Sequence, residues 1–339
     1  MIRRLKTARL MQMLSLLMVV FLAGCERPPV DSEQQGFRGT GMVDVTNPRL
    51  ASDLLEQLNI PDPLPAVQPS GTLASEVYEN VQILGDLDVA EFNRFMAAIT
   101  EWVSPDEGCA YCHQGANFAA EGVYTKTVTR RMIQMTQDIN SNWSNHVGAT
   151  GVTCYTCHEG QNLPSEIWYE NPGPQRAGGF TASTAGQNYP APAAADSSLP
   201  YDPFSPFLLG DMEIRVVGDT ALPDGTTLPA TKQTEETYSL MMHMSDALGV
   251  NCTYCHNSRS FGAWEGSSPA RVTAWYGIRM ARGLNNEYIE PLTGVLPENR
   301  LGPLGDAPKI NCATCHQGLN LPLNGADMLQ YHSVLSGDD

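Results

Sequence analysis

The sequence has few basic residues and no apolar run of membrane-spanning length near its start. Lys and Arg number 20 against 37 Asp and Glu, which gives a formal net charge of -17. This surplus of acid argues against nucleic acid or an anionic membrane face as the main binding target, and it favours a cationic partner. The apolar run from Leu10 to Ala23 is interrupted by Gln12 and Ser15 and falls short of the roughly 20 residues that a spanning helix needs. With 339 residues, 42% of them apolar, the chain can still bury one large or two ordinary cores, so neither disorder nor a fibrous repeat fits.

The N-terminus has the composition of an export signal. Basic residues at positions 3, 4, 6 and 9 precede the apolar run, and the segment closes on Leu-Ala-Gly-Cys at 22–25. This ending resembles a bacterial lipobox, in which Cys25 would receive a diacylglycerol thioether and become the mature N-terminus. Two or more acyl chains give stable attachment to a membrane. We therefore predict a signal peptide over 1–24 and a lipid anchor on Cys25, with an ordinary cleaved signal or an uncleaved anchor helix as alternatives.

The other eight cysteines form four copies of the pattern C-x-x-C-H. Two thiols at this spacing reach the two vinyl groups on one edge of a porphyrin, and the adjacent histidine lies under the iron as an axial ligand. Structural disulfides would need no histidine after each pair, and zinc sites would not require one in all four copies. The sequence therefore predicts four covalently bound c-type haems. The attachment sites are Cys109 and Cys112, Cys154 and Cys157, Cys252 and Cys255, and Cys312 and Cys315, and the axial ligands are His113, His158, His256 and His316.

The motifs belong to longer internal repeats. The first, second and fourth motifs continue into similar segments with a glycine two residues after the histidine and an asparagine two residues later, and 151–153 and 249–251 share an entry. We predict a mainly α protein with extensive irregular loops, built from repeated helix-turn-CxxCH segments in two pseudo-symmetric halves. The expected boundaries are 25–75 for an extended N-terminal segment, 76–170 for a first haem pair, 171–233 for an irregular connection, 234–325 for a second haem pair and 326–339 for a C-terminal tail.

Apolar spacing predicts helices upstream of the motifs. The first begins at Asp88, with Glu91 completing a capping box, and ends at Ser104 before a proline. Further helices are predicted over 128–143 and onward to the glycines at 148–151, over 238–248 with Gly249 as C-cap, and over 268–285 with Ser268 as N-cap and Pro269 at the first helical position.

Six-coordinate electron-transfer haems need a methionine or a second histidine opposite the motif histidine. Met96, Met132 and Met241 lie 13, 22 and 11 residues before the first cysteine of the motif that follows each of them, so each can fold back over its own haem. A single methionine at helical spacing is more often core filler, but here three repeats each supply one. The competitors left open by spacing are Met135, Met242, Met244 and His243.

The fourth haem has no such local methionine. His146, His243 and His332 are the histidines outside the motifs. If the second helix continues to His146, this residue lies about 21 Å beyond Met132 along the axis, at about 1.5 Å per residue. The two cannot then serve one iron, so His146 is available for the Cys312/Cys315 haem. A surface or packing histidine is the alternative.

The chain closely resembles the tetrahaem cytochrome c subunit of purple-bacterial photosynthetic reaction centres. The resemblance rests on AAITEWVSP at 97–105, GVTCYTCH at 151–158, YDPF at 201–204 and WYGIRM at 275–280. In that family methionine is the sixth ligand of the first three haems and histidine serves the fourth. By position these ligands correspond to Met96, Met132, Met241 and His146, and the lipid-modified cysteine corresponds to Cys25, although some members keep a membrane helix.

The resemblance implies an electron-transfer subunit, not an enzyme, attached by lipid to the periplasmic face of the bacterial inner membrane. Its four haems would lie in a row, with the Cys252/Cys255 haem nearest the photo-oxidised bacteriochlorophyll pair of the membrane subunits. Electrons would come from a small soluble cytochrome c or a high-potential iron–sulfur protein, and the acidic surface suits a basic cytochrome. A free exported multihaem carrier or reductase is one alternative. A lipid-anchored assembly module with structural haems is another.

Overall fold

The computed structural model describes residues 30–35, 41–171, 190–216 and 230–337. About half of this part is helical, most of the rest is irregular, and strands are few, which confirms the mainly α prediction. None of its helices is both long and apolar enough to cross a membrane. The predicted signal peptide and Cys25 lie outside the described residues, as does part of the predicted connection at 171–233.

The helices follow the predicted order along the chain. The strands are β1 Asp31–Gln34, β2 Val43–Thr46, β3 Ile167–Trp168 and β4 Lys309–Ile310. They form two short antiparallel sheets. In one, β1 pairs with β2 so that Asp31 faces Thr46, and in the other, β3 pairs with β4 so that Ile167 faces Ile310. The helices are α1 Pro48–Gln57, α2 Ala74–Val77, α3 Val89–Val103, α4 Tyr124–Asn142, α5 Ser144–Val147, α6 Cys154–His158, α7 Ala230–Leu248, α8 Pro269–Leu284 and α9 Cys312–His316.

Helix α3 begins where the sequence predicts. Asp88 Oδ1 accepts a hydrogen bond from the Ala90 amide at 2.9 Å, as an N-cap side chain does. The predicted capping box differs, because Glu91 pairs with Arg94 at 3.3 Å instead. The apolar face of α3 enters a core that the helix shares with α4, α6 and the C-terminal segment. The buried members of this core are Leu84, Phe95, Ala98, Ile99, Trp102, Ile133, Cys154, Tyr155, Leu323, Met328 and Leu335.

The second predicted helix is interrupted before His146. Helix α4 ends at Asn142 because Trp143 leaves the helical region, with φ -116° and ψ 26°. A separate turn, α5, then carries His146 and stops at Gly148, whose φ is +63°. The expectation of one continuous helix from Met132 to His146 is therefore wrong, and the distance of about 21 Å drawn from it does not apply.

Helices α7 and α8 match the remaining predictions closely. Helix α7 begins at Ala230, earlier than expected, and ends before Gly249, which has the predicted left-handed backbone with φ +64°. Helix α8 has Ser268 at its N-cap and Pro269 as its first residue. The Ser268 hydroxyl does not cap the helix but donates to the Tyr254 carbonyl at 2.6 Å, tying α8 to the third motif. A second core joins α7 and α8 to the loop after 200, and its buried members are Trp168, Phe204, Phe207, Leu208, Leu240, Ile278 and Ala281.

The N-terminal segment contains more structure than the prediction of an extended chain. Helix α1 begins at Pro48, and the Asn47 side chain accepts from the Arg49 amide at 3.1 Å. The Asn-Pro pair is a start signal that the sequence contains and the prediction missed. Ahead of it, the β1–β2 hairpin lies on the third motif, since the Val43 carbonyl accepts from the Thr253 hydroxyl at 2.6 Å.

The first and third motifs are built alike. Each forms a single 3-10 turn, and the carbonyl of its tyrosine accepts from a hydroxyl fourteen residues later, Tyr111 from Thr125 and Tyr254 from Ser268. The second and fourth motifs instead form the short helices α6 and α9, each ending on a left-handed residue. Such matches are expected of a duplicated segment. The division into two pseudo-symmetric halves stays a prediction.

Candidate haem sites

The four motif histidines are oriented in the same way. In each, Nδ1 hydrogen-bonds to a backbone carbonyl a few residues further along the chain, so Nε2 is the nitrogen left for a metal ion. A histidine that ligates a metal commonly donates its other ring nitrogen in this way, which fixes the tautomer and the direction of the ring. The pairs are His113 with Phe118 at 3.2 Å, His158 with Gln161 at 2.8 Å, His256 with Phe261 at 2.9 Å and His316 with Leu319 at 2.9 Å.

The surroundings of these histidines favour the neutral imidazole. Burial lowers the pKa of each motif histidine below its ordinary value. For His316 the pKa is lowered to about 4, mainly by burial and also by the nearby His146. The hydrogen bond to the Leu319 carbonyl acts in the opposite direction and raises it. A metal ion binds the neutral imidazole, and the lowered pKa values favour this form.

A cavity of about 590 Å³ lies between the second and fourth motifs. Both motifs line it with their cysteines and histidines, and the two proposed sixth ligands for these motifs line it as well. Apolar side chains from α4, α7 and α8 complete the walls, as suits a porphyrin. The members that bear on haem binding are Cys154, Cys157, His158, Met132, Cys312, Cys315, His316 and His146.

His146 and His316 meet across the cavity although 170 residues separate them in sequence. Their ring centroids are 6.0 Å apart. A metal–nitrogen bond is about 2 Å long and a ring nitrogen lies roughly 1 Å from its ring centre, so two imidazoles on opposite sides of one metal ion would have centroids about 6 Å apart. The Nδ1 of His146 hydrogen-bonds to the Thr273 carbonyl at 3.0 Å, which leaves its Nε2 for a metal ion too. The donor set at this position therefore fits a haem iron.

A family model described as the photosynthetic reaction centre cytochrome C subunit matches residues 26–336. The chain belongs to this family. The subunit of Rubrivivax gelatinosus is 54% identical over 307 residues, which cover 91% of this chain and 84% of the relative. Those of Thermochromatium tepidum and Roseobacter denitrificans are 50% and 42% identical over 310 and 321 residues, covering 91% and 88% of this chain and 76% and 83% of the relatives. The resemblance predicted from the sequence is confirmed.

Family membership gives the chain its general role. A reaction centre cytochrome c subunit is a membrane-associated electron-transfer protein with covalently bound c-type haem, and it associates with the reaction centre. That the motif cysteines attach this haem stays a prediction from the sequence.

Two of the motif cysteines lie against each other. Cys157 and Cys315 are within disulfide-bonding distance, and their Cα atoms are 4.6 Å apart. A disulfide and two thioethers to haem use the same sulfur atoms, so the two arrangements exclude each other. Covalent c-type haem in this family favours the thioethers. The first cysteines of the same motifs are free thiols, and burial raises the pKa of Cys154 and of Cys312 to about 12.

The other proposed methionine ligands lie in different surroundings. Met96 on α3 packs against the first core, and Met241 on α7 packs against the second, where Met244 is its neighbour. The competitor His243 is buried against Phe204, with ring centroids 4.6 Å apart. Burial lowers the His243 pKa to about 4. The structure thus directs His243 toward the loop around Phe204, while the competitors Met135 and Met244 line the cavity.

Sequence reasoning missed the residues that hold the motifs in place. In α6 and α9 the third residue of the motif is a threonine. The Thr156 hydroxyl accepts from the Thr153 amide and the Thr314 hydroxyl from the Asn311 amide, both at 2.9 Å. The first and third motifs have tyrosine at that position, so the sequence already contained a signal that the motifs form two kinds. Lys309 is also missed; it is fully buried beside the fourth motif, and its partners are Asp306, three residues before it, and Glu290 from a more distant segment.

Proposed function

We propose that this chain is the periplasmic, lipid-anchored tetrahaem subunit that passes electrons from a soluble donor protein to the photo-oxidised bacteriochlorophyll pair of the reaction centre. The observation that carries the proposal is the His146–His316 pair. The two imidazoles have ring centroids 6.0 Å apart, and each is hydrogen-bonded through Nδ1 to a backbone carbonyl, so together they would supply both axial ligands of one haem iron. An iron with both axial positions filled transfers electrons and has no position at which to bind a substrate.

The same reasoning assigns each remaining side chain a role. Bound haem supplies a reversible ferric–ferrous couple. The eight motif cysteines attach the four porphyrins, and the four motif histidines are the first axial ligands. Met96, Met132 and Met241 are the second axial ligands of the first, second and third haems, and His146 is that of the fourth. A thioether raises a haem potential relative to a second imidazole, so the fourth haem should be a low-potential site.

The contact between α6 and α9 supports an order for the sites. The second and fourth motifs share one cavity, and the Cα atoms of Cys157 and Cys315 are 4.6 Å apart. We therefore place the second and fourth haems next to each other in the middle of the row, with the first and third haems at its ends.

The N-terminal hairpin supports placing the third haem nearest the membrane. Asn251 lies just before the third motif and Thr253 lies within it. Both donate to the Val43 carbonyl, at 2.8 and 2.6 Å. Cys25 precedes Val30 by five residues, which span at most about 18 Å. A lipid on Cys25 would therefore keep the hairpin, and the third motif beneath it, close to the membrane that holds the bacteriochlorophyll pair.

A carbon monoxide difference spectrum, joined to an equilibrium redox titration, tests this function against that of a reductase. A reductase keeps one haem open for substrate, so its native protein binds carbon monoxide strongly. We expect no carbon monoxide binding by the native protein and four haems that each cycle reversibly. One native haem that binds carbon monoxide would favour the reductase, and haems that do not cycle would favour a structural role.

A further inference from the structure

Helix α8 passes unusually close to His146 at Gly277. A Cβ atom built at this glycine would lie 2.5 Å from Cε1, 2.8 Å from Nδ1 and 3.1 Å from Nε2 of the His146 ring. Favourable contacts between carbon atoms begin at about 3.5 Å. No side chain therefore fits at position 277 while the ring stays where it is.

The glycine is not there for its backbone. Gly277 lies inside the regular helix Pro269–Leu284 and is not among the residues with positive φ. Alanine is ordinarily the better residue inside a helix, since glycine loses more conformational freedom on folding. The helix thus has a less stable residue at the one position where a methyl group would meet the imidazole.

A second contact from the same turn fixes the direction of the ring. His146 Nδ1 hydrogen-bonds to the Thr273 carbonyl at 3.0 Å, and Thr273 precedes Gly277 by one helical turn. The carbonyl accepts the hydrogen bond of Nδ1, and Cε1 with its two neighbouring nitrogens lies over Gly277. The ring so held faces His316 with a centroid separation of 6.0 Å.

We propose that Gly277 and the Thr273 carbonyl are the positioning contacts that aim His146 Nε2 at the iron of the fourth haem. The proposal rests on the assignment of His146 as sixth ligand of that haem. A methionine is also available, since Met280, one turn further along α8, lines the same cavity. The two contacts explain why histidine and not methionine is the ligand here. The planar ring occupies the space over the glycine, and the carbonyl accepts a hydrogen bond that a thioether cannot donate.

The test compares Gly277→Ala with Gly283→Ala in the full-length, haem-loaded chain. Gly283 lies on the same helix, and a Cβ there would meet only Trp143 Cζ2 at 3.6 Å, an ordinary contact. For Gly277→Ala we expect one haem to lose its bis-histidine signature in near-infrared magnetic circular dichroism, with a rise in its potential. For Gly283→Ala we expect an unchanged spectrum and an unchanged or higher melting temperature. A bis-histidine signature and potential that survive in Gly277→Ala would overturn the proposal.

A third variant separates the positioning contacts from the ligand assignment. His146→Ala alone should abolish the bis-histidine signature, and if it does not, the ligand assignment fails and not only the contacts. With the ring in place, the clash at position 277 should also lower the melting temperature of Gly277→Ala. In the His146→Ala background the ring is gone, so adding Gly277→Ala should affect the melting temperature in the same way as Gly283→Ala. This comparison also serves if Gly277→Ala alone fails to accumulate, because the double variant should then be recovered. A penalty for Gly277→Ala that persists without the ring would contradict the proposal.

Discussion

Replacing Lys309 by methionine should destabilise the protein by about 3–5 kcal/mol, the usual cost of removing one partner of a buried ion pair. The Lys309 side chain is 0% exposed, and its Nζ lies 2.6 Å from Asp306 Oδ2 and 2.9 Å from Glu290 Oε1. Methionine has nearly the same length and volume, so little of the loss comes from a cavity. Most of it comes from Asp306, which is 7% exposed and would keep its charge without its cation.

A second lysine offers a matched control. Lys232 and Glu235 also form a pair three residues apart with a distance of 2.6 Å, but their side chains are 27% and 25% exposed. Water screens such a pair, and its loss should cost about 1 kcal/mol or less. Guanidinium unfolding followed by far-ultraviolet circular dichroism would compare the two variants through their midpoints at equal slope. A Lys309→Met midpoint no lower than that of Lys232→Met would refute the reasoning.

Five further substitutions test the haem ligands and a partly buried carboxylate. His146→Ala should leave one iron five-coordinate, so that one haem in the protein binds carbon monoxide, and His146→Met should restore six ligands and raise one low potential. Met241→His should lower the potential of one haem, because imidazole stabilises ferric iron better than a thioether does, and Met244→His should not. Burial raises the pKa of Glu236 to about 7, with Asp202 adding to the effect, so the folded state binds this proton more tightly than the unfolded chain. Stability linked to Glu236 is therefore present below about pH 4.5 and falls as the pH rises to about 7, and Glu236→Gln should remove this loss from melting curves.

Each of these expectations has a clear contrary result. Carbon monoxide binding at the second haem, or at none, in His146→Ala would refute the assignment of His146 to the fourth haem. A potential shift in Met244→His and none in Met241→His would move that ligand by about one helical turn. A melting temperature that depends on pH equally in Glu236→Gln and the wild type would show that other groups cause the change.

The features predicted well from the sequence are those that short-range chemistry determines. Asp88 caps its helix through its own side chain, and Gly249 ends α7 because a left-handed residue is needed there. The motif residues follow from the reach of two thiols and one imidazole, which spacing alone expresses. The start of α1 is also determined locally, by Asn47 at the N-cap and Pro48 at the first helical position, although the segment is predicted as extended.

What the sequence could not predict depends on contacts between distant segments. The break at Trp143 follows no glycine or proline, so periodicity carried the predicted helix through it. The prediction of His146 for the fourth haem rests partly on that continuous helix, but in the structure His146 lies beside His316 and is held by the Thr273 carbonyl, 127 residues away. Lys309 has Asp306 three residues before it, but its second close carboxylate, Glu290, comes from a more distant segment that the local sequence does not indicate.

Flash-induced absorbance spectroscopy of the purified reaction centre complex, with this subunit bound and its haems reduced beforehand, tests the proposed electron transfer most directly. We expect the photo-oxidised bacteriochlorophyll pair to be re-reduced while a haem α-band bleaches with the same time constant, with no soluble donor present. We also expect four haems to be oxidised by successive flashes when the electron acceptor is replenished. Re-reduction of the pair without any haem bleaching would contradict the claim that this chain passes electrons to it.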